Sequence, residues 1–194
     1  MFDKPYALLQ QAKAGEASRT EADGLLAQLT VREVENLDYR SHDCVALAAR
    51  FVVEGIVLDV YVTHLIAARV EDSARQYQVA RLLEWIGTRK EADHSIVCGD
   101  FNATPAQPSI QRMMQAYRPT QSAPTAFTPL REPSGKPTHP EWERFDRCID
   151  YIWVSPSIRV KATGLCFNVP AADDPNLWPS DHIGVWADLE IGNG

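Results

Sequence analysis

No stretch of this 194-residue chain approaches the roughly 20 consecutive apolar residues that cross a bilayer. The first residues, with Asp3 and Lys4 among them, also lack the apolar core of a secretory signal. The expectation is a cytoplasmic protein without a membrane span. Cysteine is scarce: Cys44, Cys98, Cys148 and Cys166 are widely spaced, with no CxxC pair to suggest a metal knuckle or thiol redox motif. Three of the four lie in apolar runs and read as buried free thiols. Basic charge is short as well, with a net charge of −7, a pI near 5.2 and no stripe of Lys or Arg. That counts against a tight grip on long nucleic acid, because such affinity comes largely from cationic side chains displacing counterions. An acidic protein can still act on a phosphate when a metal ion sits between them. There is no internal repeat, no low-complexity tract and no nucleophile elbow; Ser180 adjoins Asp181 and His182, but sequence neighbours rarely converge in a triad.

What is present is one substantial core. The chain is 45% hydrophobic and of a length that suits a single domain over residues 1–194. Tyr6, Leu8, Leu9 and Ala12 suit one face of a short helix, although residues 1–20 suit an unstructured lead-in equally. Leu25 to Leu29 suggests a strand within Gly24 to Thr30, and Val31 to Leu37 alternates polar with apolar. From Val45 to Leu65 two alternating runs flank Glu54-Gly55, which predicts a β-hairpin whose second strand ends at His64. Glu71 to Lys90 predicts a helix with Val79, Leu82, Leu83 and Ile86 as its core stripe and Arg89 and Lys90 closing its C-terminal turn.

The run Ser95-Ile96-Val97-Cys98-Gly99-Asp100-Phe101-Asn102 predicts a buried strand that breaks into an acid and an amide. On extended backbone Asp100 and Asn102, two apart, would share one side; the same pair also suits an Asx turn. Ser109 to Tyr117 reads as a short helix. Residues 118–147 carry six prolines and read as an irregular loop from which His139, Trp142 and Arg144 could reach a substrate. Cys148 to Val154 reads as a central strand carrying Asp150, whose carboxylate should have a His or Arg partner. A strand from Ile158 to Val169 follows. After a second loop, Asp181 and His182 stand before a last alternating strand. His64, Asp100 with Asn102, and Asp181 with His182 thus fall where strands meet loops, which is where layered α/β proteins collect ligand sites.

Taken together, His64 in Val-Thr-His-Leu, Asp100 and Asn102 in Gly-Asp-Phe-Asn-Ala-Thr-Pro, Asp150 in Ile-Asp-Tyr-Ile and Asp181-His182 in Pro-Ser-Asp-His resemble the endonuclease/exonuclease/phosphatase superfamily over about Gly24 to Ile191. The resemblance implies a layered α/β/β/α sandwich. It also implies a metal-dependent phosphoesterase that hydrolyses a phosphodiester or phosphomonoester by activated-water attack on phosphorus, with a small molecule or nucleic acid as substrate. His182 would be general base or electrostatic partner of the phosphate, held by Asp150. Asp100 would orient the water or protonate the leaving oxygen, Asn102 and His64 would donate to phosphate oxygens, and Asp181 would help bind Mg²⁺ or Mn²⁺. The resemblance further implies an N-terminal strand bearing Asn or Asp and a principal metal-ligand Glu. Glu16, Glu21, Glu33 and Glu35 precede His64, and none has a matching context. The expectation is therefore a domain lacking its N-terminal strands, which forms a homodimer or pairs with an N-terminal fragment. A non-catalytic binding remnant of the same fold is the alternative function.

Overall fold

A computed structural model of the chain describes residues 7–10, 24–27, 29–67, 69–129, 131, 134, 136 and 146–192. Ten strands and two helices follow in the order β1 (Ala7–Gln10), β2 (Gly24–Ala27), β3 (Val31–Asp38), β4 (Val45–Val53), β5 (Ile56–His64), α1 (Asp72–Thr88), β6 (His94–Asp100), α2 (Pro108–Met114), β7 (Arg118–Pro119), β8 (Asp150–Val154), β9 (Arg159–Cys166) and β10 (Gly184–Glu190).

Six strands form a mixed sheet in the order β3-β4-β5-β6-β8-β7, and β10 pairs with β9 in a second, two-stranded sheet. The expected hairpin is β4 and β5, joined at Glu54 and Gly55. Both connecting residues have positive φ, 53° and 87°, the conformation whose twist matches the flanking strands. From β5 the chain crosses through α1 and returns as β6, parallel to β5, which places the ends of these two strands side by side. One face of the large sheet carries Tyr61, Val97, Tyr151 and Trp153, which pack with Val79 and Leu82 of α1 and with Ile110 and Met113 of α2. The other face carries Phe51, Leu58 and Val154, with Ile152 and Val160 half-buried beside them along with Leu189 of β10. The layered α/β sandwich expected from the sequence is the architecture observed. Among the described residues both helices lie on one face.

Two local expectations change. Residues 7–10 are a strand, not a helix: Ala7 to Gln10 pair antiparallel with Gly24 to Ala27. Four residues can close barely one helical hydrogen bond, so a ladder with a second segment satisfies their backbone better. The helix expected to reach Lys90 stops at Thr88. The Arg89 guanidinium turns away from the helix end to Asp59 Oδ2 at 2.9 Å and Glu35 Oε2 at 2.6 Å. Asp59 is fully buried and also receives Arg50 Nε at 2.8 Å. Burial alone would raise the Asp59 carboxyl, but hydrogen bonds from the two guanidinium groups hold it below its ordinary range. Two arginines around one buried acid outweigh the few tenths of a kcal/mol a helix dipole offers at its exposed end.

Candidate active site

Strand register builds the site. His64, the last residue of β5, is the parallel partner of Asp100, the last residue of β6. Asp100 in turn lies opposite Asp150, the first residue of β8. An imidazole and two carboxylates therefore stand in one row across three adjacent strands. Like charges directly opposite in a ladder are unfavourable. Burial and the facing Asp150 accordingly push the Asp100 carboxyl up to about 6, against the opposing pull of His182, His64 and the Asn102 N–H.

The strand end is shaped by glycine. Gly99 has φ +141°, and a Cβ there would lie 1.8 Å from the Thr63 carbonyl oxygen, so no side chain fits between β5 and β6 at this point. Past Asp100 the chain leaves the strand: Asn102 has φ 49° and donates its backbone N–H to Asp100 Oδ1 at 2.7 Å. The Asx turn is thus real, and it coexists with a role in the cluster. Asn102 Nδ2 donates to the Leu65 carbonyl at 3.0 Å and to His64 Nε2 at 3.2 Å. A carbonyl can only accept, which fixes Nδ2 on that side, so Nε2 is the acceptor in its contact with Asn102. Both amide hydrogens are therefore engaged within the protein. Direct donation from Asn102 to a phosphate would require these bonds to be exchanged.

His182 reaches Asp150 from the segment before β10. Its Nδ1 lies 2.9 Å from Asp150 Oδ2 and 3.1 Å from Oδ1. Burial would lower the imidazolium, but the hydrogen bond and charge of Asp150, with Asp100 and Asp181, outweigh it and raise His182 to about 9. The partner expected for Asp150 is thus His182. Ligand atoms of Asp100, Asp150 and His182 all lie within 4.8 Å of one another, a group that could hold a metal ion. Asp181 stands outside this group; its backbone oxygen accepts from Thr128 and its Oδ1 accepts from Ser180 Oγ at 3.3 Å. Glu33 and Glu35 are on edge strand β3, paired with Arg89. Glu16, Glu21, His139, Trp142 and Arg144 lie outside the described residues.

A cavity of about 600 Å³ opens on this cluster, with Asp100, Asp150 and His182 at its polar end and Cys98, Ile152 and Val185 along its apolar wall. All four cysteines are free, as expected, but only Cys44 and Cys148 are buried, while Cys98 and Cys166 are half-buried.

The irregular loop hides residues that sequence reasoning passes over. Thr125 is fully buried, and its Oγ1 accepts from the backbone N–H of Ile149 and Asp150, at 3.3 and 3.2 Å. Its carbonyl accepts from Ile183 N at 2.7 Å. One residue thus ties the start of β8 to the His182 segment. Phe127 meets the His182 ring edge-on at 5.2 Å between centroids. The only sequence signal was an apolar pair, Ala126-Phe127, among threonines and prolines.

The profile of the Endonuclease/Exonuclease/phosphatase family matches residues 9–182. No curated protein sequence matches the chain. Among solved structures, an endonuclease/exonuclease/phosphatase from Bacteroides vulgatus superposes with a TM-score of 0.75 at 18% identity, covering 96% of this chain and 77% of that one. A mannosyl-6-phosphatase from Bacteroides thetaiotaomicron gives 0.74 at 16% identity, over 96% and 77%. TDP2 of D. rerio, complexed with a single-strand DNA product, gives 0.71 at 14% identity, over 95% and 77%.

Proposed function

The chain belongs to the endonuclease/exonuclease/phosphatase family, and from that membership we propose that it is a divalent-metal-dependent phosphoesterase in which water attacks phosphorus. The observation that carries this reading is the convergence of Asp100, Asp150 and His182, from three separate elements, on the polar end of one cavity. The donor set fits a hard cation. Asp100 and Asp150 offer carboxylate oxygens whose mutual repulsion a cation would relieve, and Mg²⁺ or Mn²⁺ keeps waters where protein ligands are few. His182 is engaged through Nδ1 by Asp150, so the two carboxylates would hold the ion, with Asp181 the further acid that the family resemblance assigns to it. Such an ion would neutralise charge on the phosphoryl oxygens.

The side chains divide the proton work because their environments separate them. Asp100, ionised above about pH 6, accepts a proton from the attacking water on a carboxylate oxygen. His182, raised to about 9, carries a proton at neutral pH. With Nδ1 held by Asp150, its Nε2–H faces the substrate, offsets phosphate charge and protonates the leaving oxygen as the ester P–O bond breaks. His64 stands next to the Asp100 carboxylate, with Nε2 3.5 Å from Oδ2; donation from this nitrogen to a phosphate oxygen would require a proton on it and exchange of its bond from Asn102. Net charge −7 favours small phosphoesters over duplex DNA as substrate.

Turnover of bis-p-nitrophenyl phosphate with Mg²⁺ or Mn²⁺ tests the reading. His182→Ala and Asp181→Asn are each expected to lower kcat by about 100-fold or more, the range of general acid–base and charge-stabilising groups. Unchanged turnover in both variants would overturn the assignment. Phosphate binding with no turnover in the parent protein would identify the non-catalytic remnant instead.

A further inference from the structure

Arg75, in the first turn of α1, is 1% exposed. A guanidinium stays charged wherever it is placed, so burial is tolerated only where its donors are satisfied. Its Nη1 donates to the carbonyls of Ile66 at 3.3 Å, Ala67 at 3.1 Å and Val70 at 3.0 Å, and its Nε donates to Asp72 Oδ1 at 3.3 Å. These carbonyls belong to the irregular segment that follows His64. One turn on, fully buried Gln78 accepts from Ile66 N–H at 3.0 Å and donates to the Ser41 carbonyl at 3.1 Å. Asp72 faces the other loop: its carboxylate accepts from Ser109 N at 3.1 Å, Ser109 Oγ at 2.6 Å and Gln107 Nε2 at 3.5 Å. Gln107 in turn accepts from Thr104 N at 2.7 Å.

Helix α1 thus grips two segments at once, the one after His64 and the one after Asp100 and Asn102. Where they meet, Leu65 N donates to the Asp100 carbonyl at 2.9 Å, and the Leu65 carbonyl accepts from Asn102 Nδ2. We propose that Arg75, supported by Asp72 and Gln78, is a positioning residue that sets the Leu65 carbonyl and thereby the His64–Asn102 hydrogen bond. An apolar residue of similar size would fill the space but withdraw the side-chain donor from the Ile66 and Val70 carbonyls, while Ala67 would keep only the Val70 N–H at 3.0 Å. The backbone around Leu65 would then rearrange to reach water. This inference rests on reading His64 as part of the phosphate site, and the test separates the two.

The test uses Arg75→Met, Arg75→Lys and Gln78→Leu, each checked for a cooperative melt. The first readout is the ¹⁵N signature of the His64 imidazole at fixed pH. The parent protein should show the Nδ1–H tautomer that accepts from Asn102 through Nε2, Arg75→Met should show an averaged ring, and Arg75→Lys should fall between. An unchanged His64 signature in folded Arg75→Met and Gln78→Leu would overturn the proposal. The second readout is a double-mutant cycle on bis-p-nitrophenyl phosphate turnover. Arg75→Met alone is expected to lower kcat about tenfold with KM little changed, the scale of a small misplacement. In a His64→Ala background it should add less than about a further twofold. Losses that multiply would mean that Arg75 does not act through His64 and would overturn the proposal. If Arg75→Met does not fold, Arg75→Lys and Gln78→Leu carry both readouts. A parent protein without turnover would defeat the proposed function, while the imidazole signature would still decide this one.

Discussion

At the level of single residues, the Asp150–His182 contact is the most informative pair. Folded His182 holds its proton more tightly than an unfolded histidine, with a value near 9 against 6.5. The stabilisation this brings is complete below pH 6.5 and is lost as pH rises through about 9. In chelator the thermal midpoint is therefore expected to fall between pH 6.5 and 9 by an amount on the order of 2 kcal/mol, or roughly 4–8 °C. Asp150→Asn removes the chief source of the shift and should flatten that slope; an unchanged slope would mean His182 titrates independently of Asp150. Metal binding supplies a second check. Because a ligand of the folded state stabilises by mass action, Mg²⁺ or Mn²⁺ should raise the midpoint, and Asp100→Asn should abolish the rise. The rise should also shrink below about pH 6, where Asp100 takes up its proton. Asn102 illustrates what chemistry alone leaves open: as a residue type it serves a turn and a site equally well, and here it closes the turn on Asp100 while its amide reaches His64 and Leu65.

At the level of elements, β6 does most to order the site. Its alternation sends Val97 into the helical face of the core, and its glycine lets β5 and β6 close where they deliver His64 and Asp100. Gly99→Ala places a methyl group on the Thr63 carbonyl, at a φ that L side chains rarely adopt. The expected cost is about 2–4 kcal/mol, a lowering of the midpoint by roughly 5–15 °C in a melt followed by circular dichroism. A wild-type midpoint would mean that β5 and β6 do not approach this closely. The hairpin β4–β5, the helix α1 and the strand β6 were legible in sequence because each shows a sustained hydrophobic period between clear punctuation. Residues 7–10 were not, since four residues cannot display a period. Arg75, Asp72 and Gln78 were overlooked for the opposite reason: polar residues within an amphipathic helix look like its solvent face, and only folding shows that Arg75 and Gln78 hold the segment after His64 while Asp72 holds the one after Asn102.

At the level of the whole molecule, the six-stranded sheet and the β9–β10 sheet packed on it are unequal. Among the described residues β10 is paired only with β9, while Val60, Ile96 and Ile152 of the six-stranded sheet are only half-buried against them. Half-covered apolar faces and open strand edges favour association, opposed here by the mutual repulsion of seven net negative charges. Light scattering is expected to show concentration-dependent self-association that strengthens in high salt, where that repulsion is screened. A monodisperse monomer at all concentrations and salts would overturn this expectation. The sequence by itself determined the layered α/β class, the order of the principal elements and the residue types of the site. Hydrophobic period and turn chemistry are local, and acids, amides and imidazoles are readable wherever they stand. Only the tertiary structure decided which of those groups meet. Strand register set Asp100 against Asp150 and beside His64, and the buried Thr125 drew His182 to Asp150. Distances between residues far apart in the chain follow from how sheets pair and loops close, and no local pattern encodes them.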